Sequence, residues 1–220
     1  MKKILITTGG TGGHVIPAEI IGEHLKEVYN INFSSDIRVY NYLKNKNCKI
    51  FIIDTPKPNL NLLFPFKLLK IFYLILRSII YLKTEKIDKI ISTGGYMSLP
   101  VCISAKILGI EIFLLEPNLT LGRANKFFLN FSKKILCYSK NLINFPSKFN
   151  NKIKLINPLV SKDFYELKKV EEMKSNFCIL ISGGSQGAKI FDGIINESIA
   201  ELANEYSLKV IQQTNIKNIE

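Results

Sequence analysis

Apolar residues recur along this chain in two rhythms. Short blocks rich in Ile, Leu and Phe, closed off by Gly, Pro, Asn or Lys, have the length and composition of buried strands. Between them run stretches in which apolar side chains return every three or four residues, as on one face of a helix. The block at 2–8 reads as a strand and 18–29 as a helix, with Ile20, Ile21 and Leu25 on its apolar face. Short strands are expected at 37–40 and 50–53, separated by a polar helix or loop. Further strands are expected at 87–92, 111–115, 134–138 and 153–156, with helices at 101–108 and from 121 onward. This alternation predicts an α/β fold built on a parallel sheet.

Apolar periodicity fades between about 158 and 174, where Lys and Glu dominate, so the chain divides into a domain over 1–158 and a second over 159–220. The second domain restarts the pattern with a strand at 177–182, a glycine turn at 183–188, a helix at 190–204 and a strand at 209–213. Two strands are too few to bury both helix layers of a Rossmann-like domain. Such a domain either docks flat on the first or is completed by something else.

Residues 60–83 form the most apolar stretch, interrupted by Lys67, Lys70 and Arg77. Its uncharged runs fall short of the roughly twenty residues that cross a bilayer. At 100° per residue Lys67, Lys70, Arg77, Ser78 and Thr84 share one narrow face and the remainder is apolar. Such a helix packs deeply on a sheet, or lays part of its surface on an anionic membrane.

Composition adjusts this picture in two places. The formal charge of +12 calls for an acidic partner, which a phosphorylated substrate, an anionic membrane or nucleic acid would satisfy. Arg38, Arg77 and Arg123 are the only arginines, and no nucleic-acid module signature is present, so nucleic acid is the weakest of the three. Cys48, Cys102, Cys137 and Cys178 are scattered and read as small core residues in a reducing compartment. Only His14 and His24 are available as imidazole ligands, which disfavours a zinc site. Lys2-Lys3 runs into a strand with no small-residue cleavage site behind it, so a cytoplasmic protein without a signal peptide is expected.

The chemistry concentrates in glycine-rich turns. Gly9-Gly10-Thr11-Gly12-Gly13-His14 joins the first strand to the first helix. Glycines there let the backbone approach a ligand closely, and the helix start presents free N–H groups and partial positive charge to an anion. A plain strand-to-helix turn is the alternative, but it needs one or two glycines rather than four. The dinucleotide fingerprint and the ATP-binding loop are both excluded by the spacing. A second such turn, Thr93-Gly94-Gly95-Tyr96, follows the strand at 87–92. The strand at 111–115 delivers Glu116-Pro117-Asn118 to the same end of the sheet, where ligands of open α/β folds gather. Glu116 would alternatively serve only to cap the next helix. Gly183-Gly184-Ser185-Gln186-Gly187 also fits a hydrolase nucleophile elbow, but no histidine follows Ser185 to act as its base.

These segments resemble the signatures of the MurG-type glycosyltransferases, which add N-acetylglucosamine to the lipid-linked muramyl peptide precursor of bacterial cell walls. The matching runs are 9–14, Gly94-Gly95-Tyr96, Glu116-Pro117-Asn118 and Gly183-Gly184-Ser185-Gln186-Gly187-Ala188, in the family's order. The chain departs from the pattern at Leu115 and Pro117, where the family usually carries His and Gln. It departs again at Val160 in Asn157-Pro158-Leu159-Val160, where the family carries a donor-site arginine and Lys162 is only a distant stand-in.

The resemblance implies a GT-B-like architecture, a Rossmann-like N-terminal domain with a parallel sheet plus a truncated second Rossmann-like domain. It implies an inverting transfer from UDP-N-acetylglucosamine to a lipid-diphosphate acceptor, at the cytoplasmic face of the bacterial inner membrane. Thr11, Gly12 and Gly13 would hold the acceptor's diphosphate or abut the donor. Gly94, Gly95, Tyr96 and Asn118 would line the acceptor site, and Ser185 and Gln186 would meet the donor phosphates. His14 is the leading candidate for the base and Glu116 the second. No Asp-x-Asp pair is present to hold a metal and no cofactor is implied, so loop amides and helix ends must meet the phosphates. The rival reading is a membrane-docked acceptor-binding subunit, inactive alone and paired with a separately encoded C-terminal half, or else a remnant of a disrupted gene.

Overall fold

The computed structural model describes residues 1–43, 48–57, 64–166, 177–183 and 194–213. The chain divides into two compact units, Met1–Tyr165 and Glu166–Glu220.

In the first unit, β1 (Lys3–Thr7), β2 (Asn30–Ser35), β3 (Lys49–Ile52), β4 (Lys89–Ser92), β5 (Glu111–Glu116), β6 (Lys134–Cys137) and β7 (Ile153–Leu155) form one sheet. Their order is β3-β2-β1-β4-β5-β6-β7 and every pairing is parallel. Chain direction across the sheet reverses between β1 and β4, the switch point at which α/β folds open a crevice. Helices α1 (Gly12–Leu25) and α2 (Ile37–Leu43) cover one face, and α3 (Phe64–Thr84), α4 (Leu99–Ile107) and α5 (Arg123–Phe128) the other.

Both sheet faces are apolar because successive strand residues feed opposite layers. Leu5, Ile90, Ile112 and Ile135 pack with Leu74, Val101 and Phe128. Ile4, Ile6, Ile91 and Leu115 pack with Val15, Ala18 and Ile21. Gly22 lets α1 lie close on the sheet: a Cβ there would stand 2.6 Å from Phe33 Cζ and 3.6 Å from Ile6 Cδ1. Gly22→Ala gains helix propensity worth about 1 kcal/mol. Overpacking costs about 1–3 kcal/mol and outweighs it. Urea unfolding is therefore expected to show a lower midpoint for this variant, and a higher midpoint would contradict the packing described.

Two expectations are corrected. Residues 37–40 are helical, not a strand, and the second strand lies earlier, over Asn30–Ser35. Asp36 ends that strand and starts α2, its Oδ1 accepting the Val39 N–H at 3.2 Å in the manner of an N-cap. In α3 the side facing the core is Leu74, Ser78 and Leu82, so Ser78 points inward and the apolar residues Phe66, Leu69, Phe72, Tyr73 and Ile80 point outward. The buried Ser78 hydroxyl donates to Leu74 O at 2.7 Å. The Ser104 hydroxyl of α4 reaches Ile75 O at 2.9 Å, so small polar residues line the contact between the two helices.

All four cysteines are free; Cys102 and Cys137 are buried, Cys48 half-buried and Cys178 exposed. Burial pushes the Cys102 thiol up to about 12 and the Cys137 thiol up to about 11, the latter helped by the nearby Glu116 carboxylate, so both stay protonated. The expectation of core cysteines holds for these two and fails for Cys178.

In the second unit β8 (Phe177–Ile181) and β9 (Leu208–Gln212) pair in parallel, and α6 (Ile194–Glu205) connects to β9. Residues 184–193, with the expected glycine turn and the start of the expected helix, lie outside the described residues, as do 60–63.

Candidate active site

The carboxyl ends of β1, β4 and β5 bring three of the expected segments together. Past β1, Gly10 takes φ +89°, which only glycine adopts without strain, and its N–H donates to Asp36 Oδ2 at 3.0 Å. Thr11 is extended, and α1 starts at Gly12. His14 N and Val15 N both return to Thr11 O, at 3.0 and 3.2 Å. Among the described residues the N–H groups of Thr11, Gly12 and Gly13 have no acceptor. Thr11 and Gly13 are exposed, and the first turn of α1 carries no acidic side chain. An anion at this helix start would meet free donors and the positive end of the dipole.

Past β4 the chain turns through Gly94 at φ +95° and Gly95 at φ +79° into a single 3-10 turn over Tyr96–Ser98. The two loops are joined directly. Thr93 Oγ1 donates to Thr8 Oγ1 at 2.9 Å, and His14 Nδ1 lies 2.7 Å from Thr93 O. A carbonyl oxygen only accepts, so Nδ1 carries the hydrogen and the neutral ring presents Nε2 as an acceptor. The ring lies against the second loop: a Cβ on Gly94 would stand 3.3 Å from His14 Cε1, and one on Gly95 3.7 Å from Nε2. Among the described residues Nε2 has no partner.

Glu116 ends β5 with only 2 % of its surface exposed. Its Oε1 accepts from Asn118 N at 3.3 Å and Asn118 Nδ2 at 3.1 Å. Its Oε2 accepts from Gly122 N at 2.7 Å and Asn125 Nδ2 at 3.0 Å. Both oxygens are thus spent on shaping the loop from 117 to 125.

A cavity of about 590 Å³ opens between these segments, lined by His14, Gly94, Gly95, Tyr96, Glu116 and Asn118. Leu99, Phe127 and Phe128 give it an apolar wall, and Lys57 and Arg123 place cations on its lining. Among the described residues neither cation has an acidic partner. A larger cavity of about 740 Å³ lies at the opposite, amino ends of β1 to β3, beside Lys3, Asn30 and Lys49. None of the candidate residues is there, so the chemistry selects the smaller one.

Of the expected site residues, His14, Gly94, Gly95, Tyr96, Glu116 and Asn118 line this cavity, Thr11, Gly12 and Gly13 are not in its lining, and Lys57, Arg123 and Asn125 were not anticipated. Asn125 donates from Nδ2 to Leu115 O at 2.9 Å and to Glu116. Those two acceptors fix the amide's orientation and leave its buried Oδ1 without a partner among the described residues. Nothing local in the sequence shows that Asn125, rather than its neighbour Lys126, is the buried one. Lys162, the distant stand-in for the donor-site arginine, is paired with Glu27, and Val160 O lies 2.9 Å from His24 Nε2. Ser185 and Gln186 lie outside the described residues. Among the described residues no group of His, Cys, Asp and Glu is placed to hold a metal ion.

Residues 4–137 match the glycosyltransferase family 28 N-terminal domain. The chain is 49% identical over 221 residues to a UDP-N-acetylglucosamine--N-acetylmuramyl-(pentapeptide) pyrophosphoryl-undecaprenol N-acetylglucosamine transferase of Pelagibacter ubique, covering 100% of this chain and 62% of that protein. It is 37% identical to the protein of the same name from Rickettsia canadensis, covering 97% of this chain and 61% of the relative. The crystal structure of Acinetobacter baumannii MurG superposes with a TM-score of 0.76 at 25% identity, over 100% of this chain and 62% of that one. The chain therefore spans about 62% of the length of the relatives it matches.

Proposed function

The chain belongs to glycosyltransferase family 28, and from that premise we propose that it moves N-acetylglucosamine from UDP-N-acetylglucosamine to a lipid-diphosphate-linked muramoyl-pentapeptide with inversion at the sugar carbon. One observation carries the reading: His14, which follows the unpaired amides of Gly12 and Gly13 in the chain, keeps Nε2 without a partner among the described residues, in the lining of a cavity shared with the second glycine loop. In the transfer, the acceptor hydroxyl gives its proton to Nε2 while its oxygen bonds to the sugar carbon. The bond from that carbon to the donor diphosphate breaks, and the electron pair leaves with the diphosphate.

The acceptor's diphosphate meets the Thr11, Gly12 and Gly13 amides, with Lys57 and Arg123 adding charge. Asn125 Oδ1 is a buried acceptor ready for a ligand hydroxyl or amide. Asn118 and Tyr96 complete the acceptor wall, and Ser185 and Gln186 are assigned to the donor phosphates. Glu116, with both oxygens engaged, positions the 117–125 loop rather than taking the proton.

The acceptor is lipid-bound, and α3 supplies a way to reach it. Phe66, Leu69, Phe72, Tyr73 and Ile80 are exposed beside Lys70 and Lys83. No helix among the described residues is long and apolar enough to cross a membrane. A peripheral seat on the anionic cytoplasmic leaflet fits that face, each lysine adding about 1 kcal/mol near the surface.

A second reading, that this chain binds acceptor and works with a separately supplied donor-binding half, is favoured by Val160 in place of the donor-site arginine. The test is transfer of labelled sugar from UDP-N-acetylglucosamine to the lipid acceptor, by the chain alone and with the C-terminal remainder of the Pelagibacter relative added. Transfer by the chain alone supports the first reading, and transfer only with the added portion supports the second. Acceptor that neither binds nor reacts in either mixture contradicts both.

A further inference from the structure

The loop between β2 and α2 enters none of the chemistry above, yet it touches both glycine loops. Asp36 has 1 % of its surface exposed. Its Oδ2 accepts from Gly10 N at 3.0 Å and from Arg38 Nη2 at 2.6 Å, while Oδ1 holds the start of α2 through Val39 N. A Cβ on Gly9 would stand 3.3 Å from the same Oδ2 and 2.9 Å from Met97 Cγ, so carboxylate, first loop and second loop meet at one point. Tyr96, on the second loop, is close enough to the Arg38 side chain to favour its charged form.

We infer that Asp36 and Arg38 are positioning residues that set the spacing between the two glycine loops, and with it the fit of a diphosphate between the Gly12 and Gly13 amides and Tyr96. A planar guanidinium suits this bridge because it presents several N–H donors in fixed directions, whereas a lysine ammonium is a single point charge on a flexible stem. Burial works against the charged form of Asp36, but the Arg38 hydrogen bond and the Gly10 and Val39 N–H groups overcome it and hold the carboxyl below its usual range. The carboxylate is therefore present as the bridge at neutral pH. The site served is that of the proposed function, but the coupling of the loops stands without it.

The test compares the full chain with Arg38→Met, Arg38→Lys, Tyr96→Phe and the Arg38→Met/Tyr96→Phe double variant. Amide hydrogen exchange is read at 9–13 and at 94–96, and affinity is read with geranyl diphosphate as the probe. Arg38→Met is expected to speed exchange about tenfold in both loops. It is also expected to weaken the probe about fivefold and, because the buried Asp36 carboxylate loses a partner, to lower Tm by a few degrees, Arg38→Lys failing to restore exchange or affinity, and the double variant going no further than Arg38→Met, as groups acting through one contact do. Faster exchange in one loop only, or effects of the two single changes that add, would overturn the inference. Weaker probe binding with unchanged exchange at 94–96 would also overturn it, making Arg38 a direct ligand. Asp36→Asn is a supporting variant, and Tyr96→Phe keeps the question open to measurement if Asp36→Asn does not fold. Wild-type protein that ignores the probe removes the proposed function, and the exchange result still decides this inference.

Discussion

Glu116→Ala is expected to destabilise the first unit by about 3 kcal/mol. The carboxylate is buried and accepts hydrogen bonds from two backbone and two side-chain N–H groups. Its removal strands the Gly122 and Asn125 donors beside Leu115, where little water reaches, at about 1–3 kcal/mol for each unsatisfied group. For a unit of this size Tm should fall by roughly 6–12 °C. Glu116→Gln should lose less, since one oxygen survives while the new NH2 faces donors it cannot satisfy. Scanning calorimetry decides the matter: a loss below about 1 kcal/mol for the alanine variant would mean that the loop is held by other contacts.

The second large effect concerns rate. His14→Gln keeps a side-chain N–H able to meet Thr93 O, but it has no imidazole nitrogen to take a proton. Turnover in whichever mixture transfers sugar should fall about 10²- to 10⁴-fold, the usual worth of a positioned proton acceptor. Affinity for geranyl diphosphate should change little, because the backbone amides of 11–13 remain. A tenfold loss of affinity with turnover preserved would instead make His14 a phosphate ligand.

Much of the fold was legible because parallel strands buried on both faces read as apolar runs, as 87–92 and 111–115 do. Strand β2 was not. Asn30, Asn32, Ser34 and Ser35 are poor strand formers, and the burial of Asn32 is tolerated through a partner distant in sequence, Tyr81 Oη for its amide at 3.1 Å. The apolar run at 37–40 then looked more like a strand than the true one. In α3 the periodicity was present, but it identified the wrong inward side, since close packing against α4 admits Ser78 and leaves Phe66, Leu69 and Phe72 outside. Within the site, glycine spacing and the histidine revealed the two loops, whereas the four-donor shell of Glu116, the unpaired Oδ1 of Asn125 and the Asp36 bridge depend on contacts that no local pattern encodes.

Sugar transfer at this site requires that the amides at the start of α1 take a diphosphate. Titrating the 15N-labelled protein with geranyl diphosphate, and following backbone amide resonances, tests this most directly. Saturable shifts at Thr11, Gly12 and Gly13, accompanied by Gly94–Tyr96, are predicted, since free N–H groups respond strongly to an accepted anion. Unmoved resonances at 11–13, with shifts confined to the cavity beside Lys3 and Lys49 or absent altogether, would contradict it.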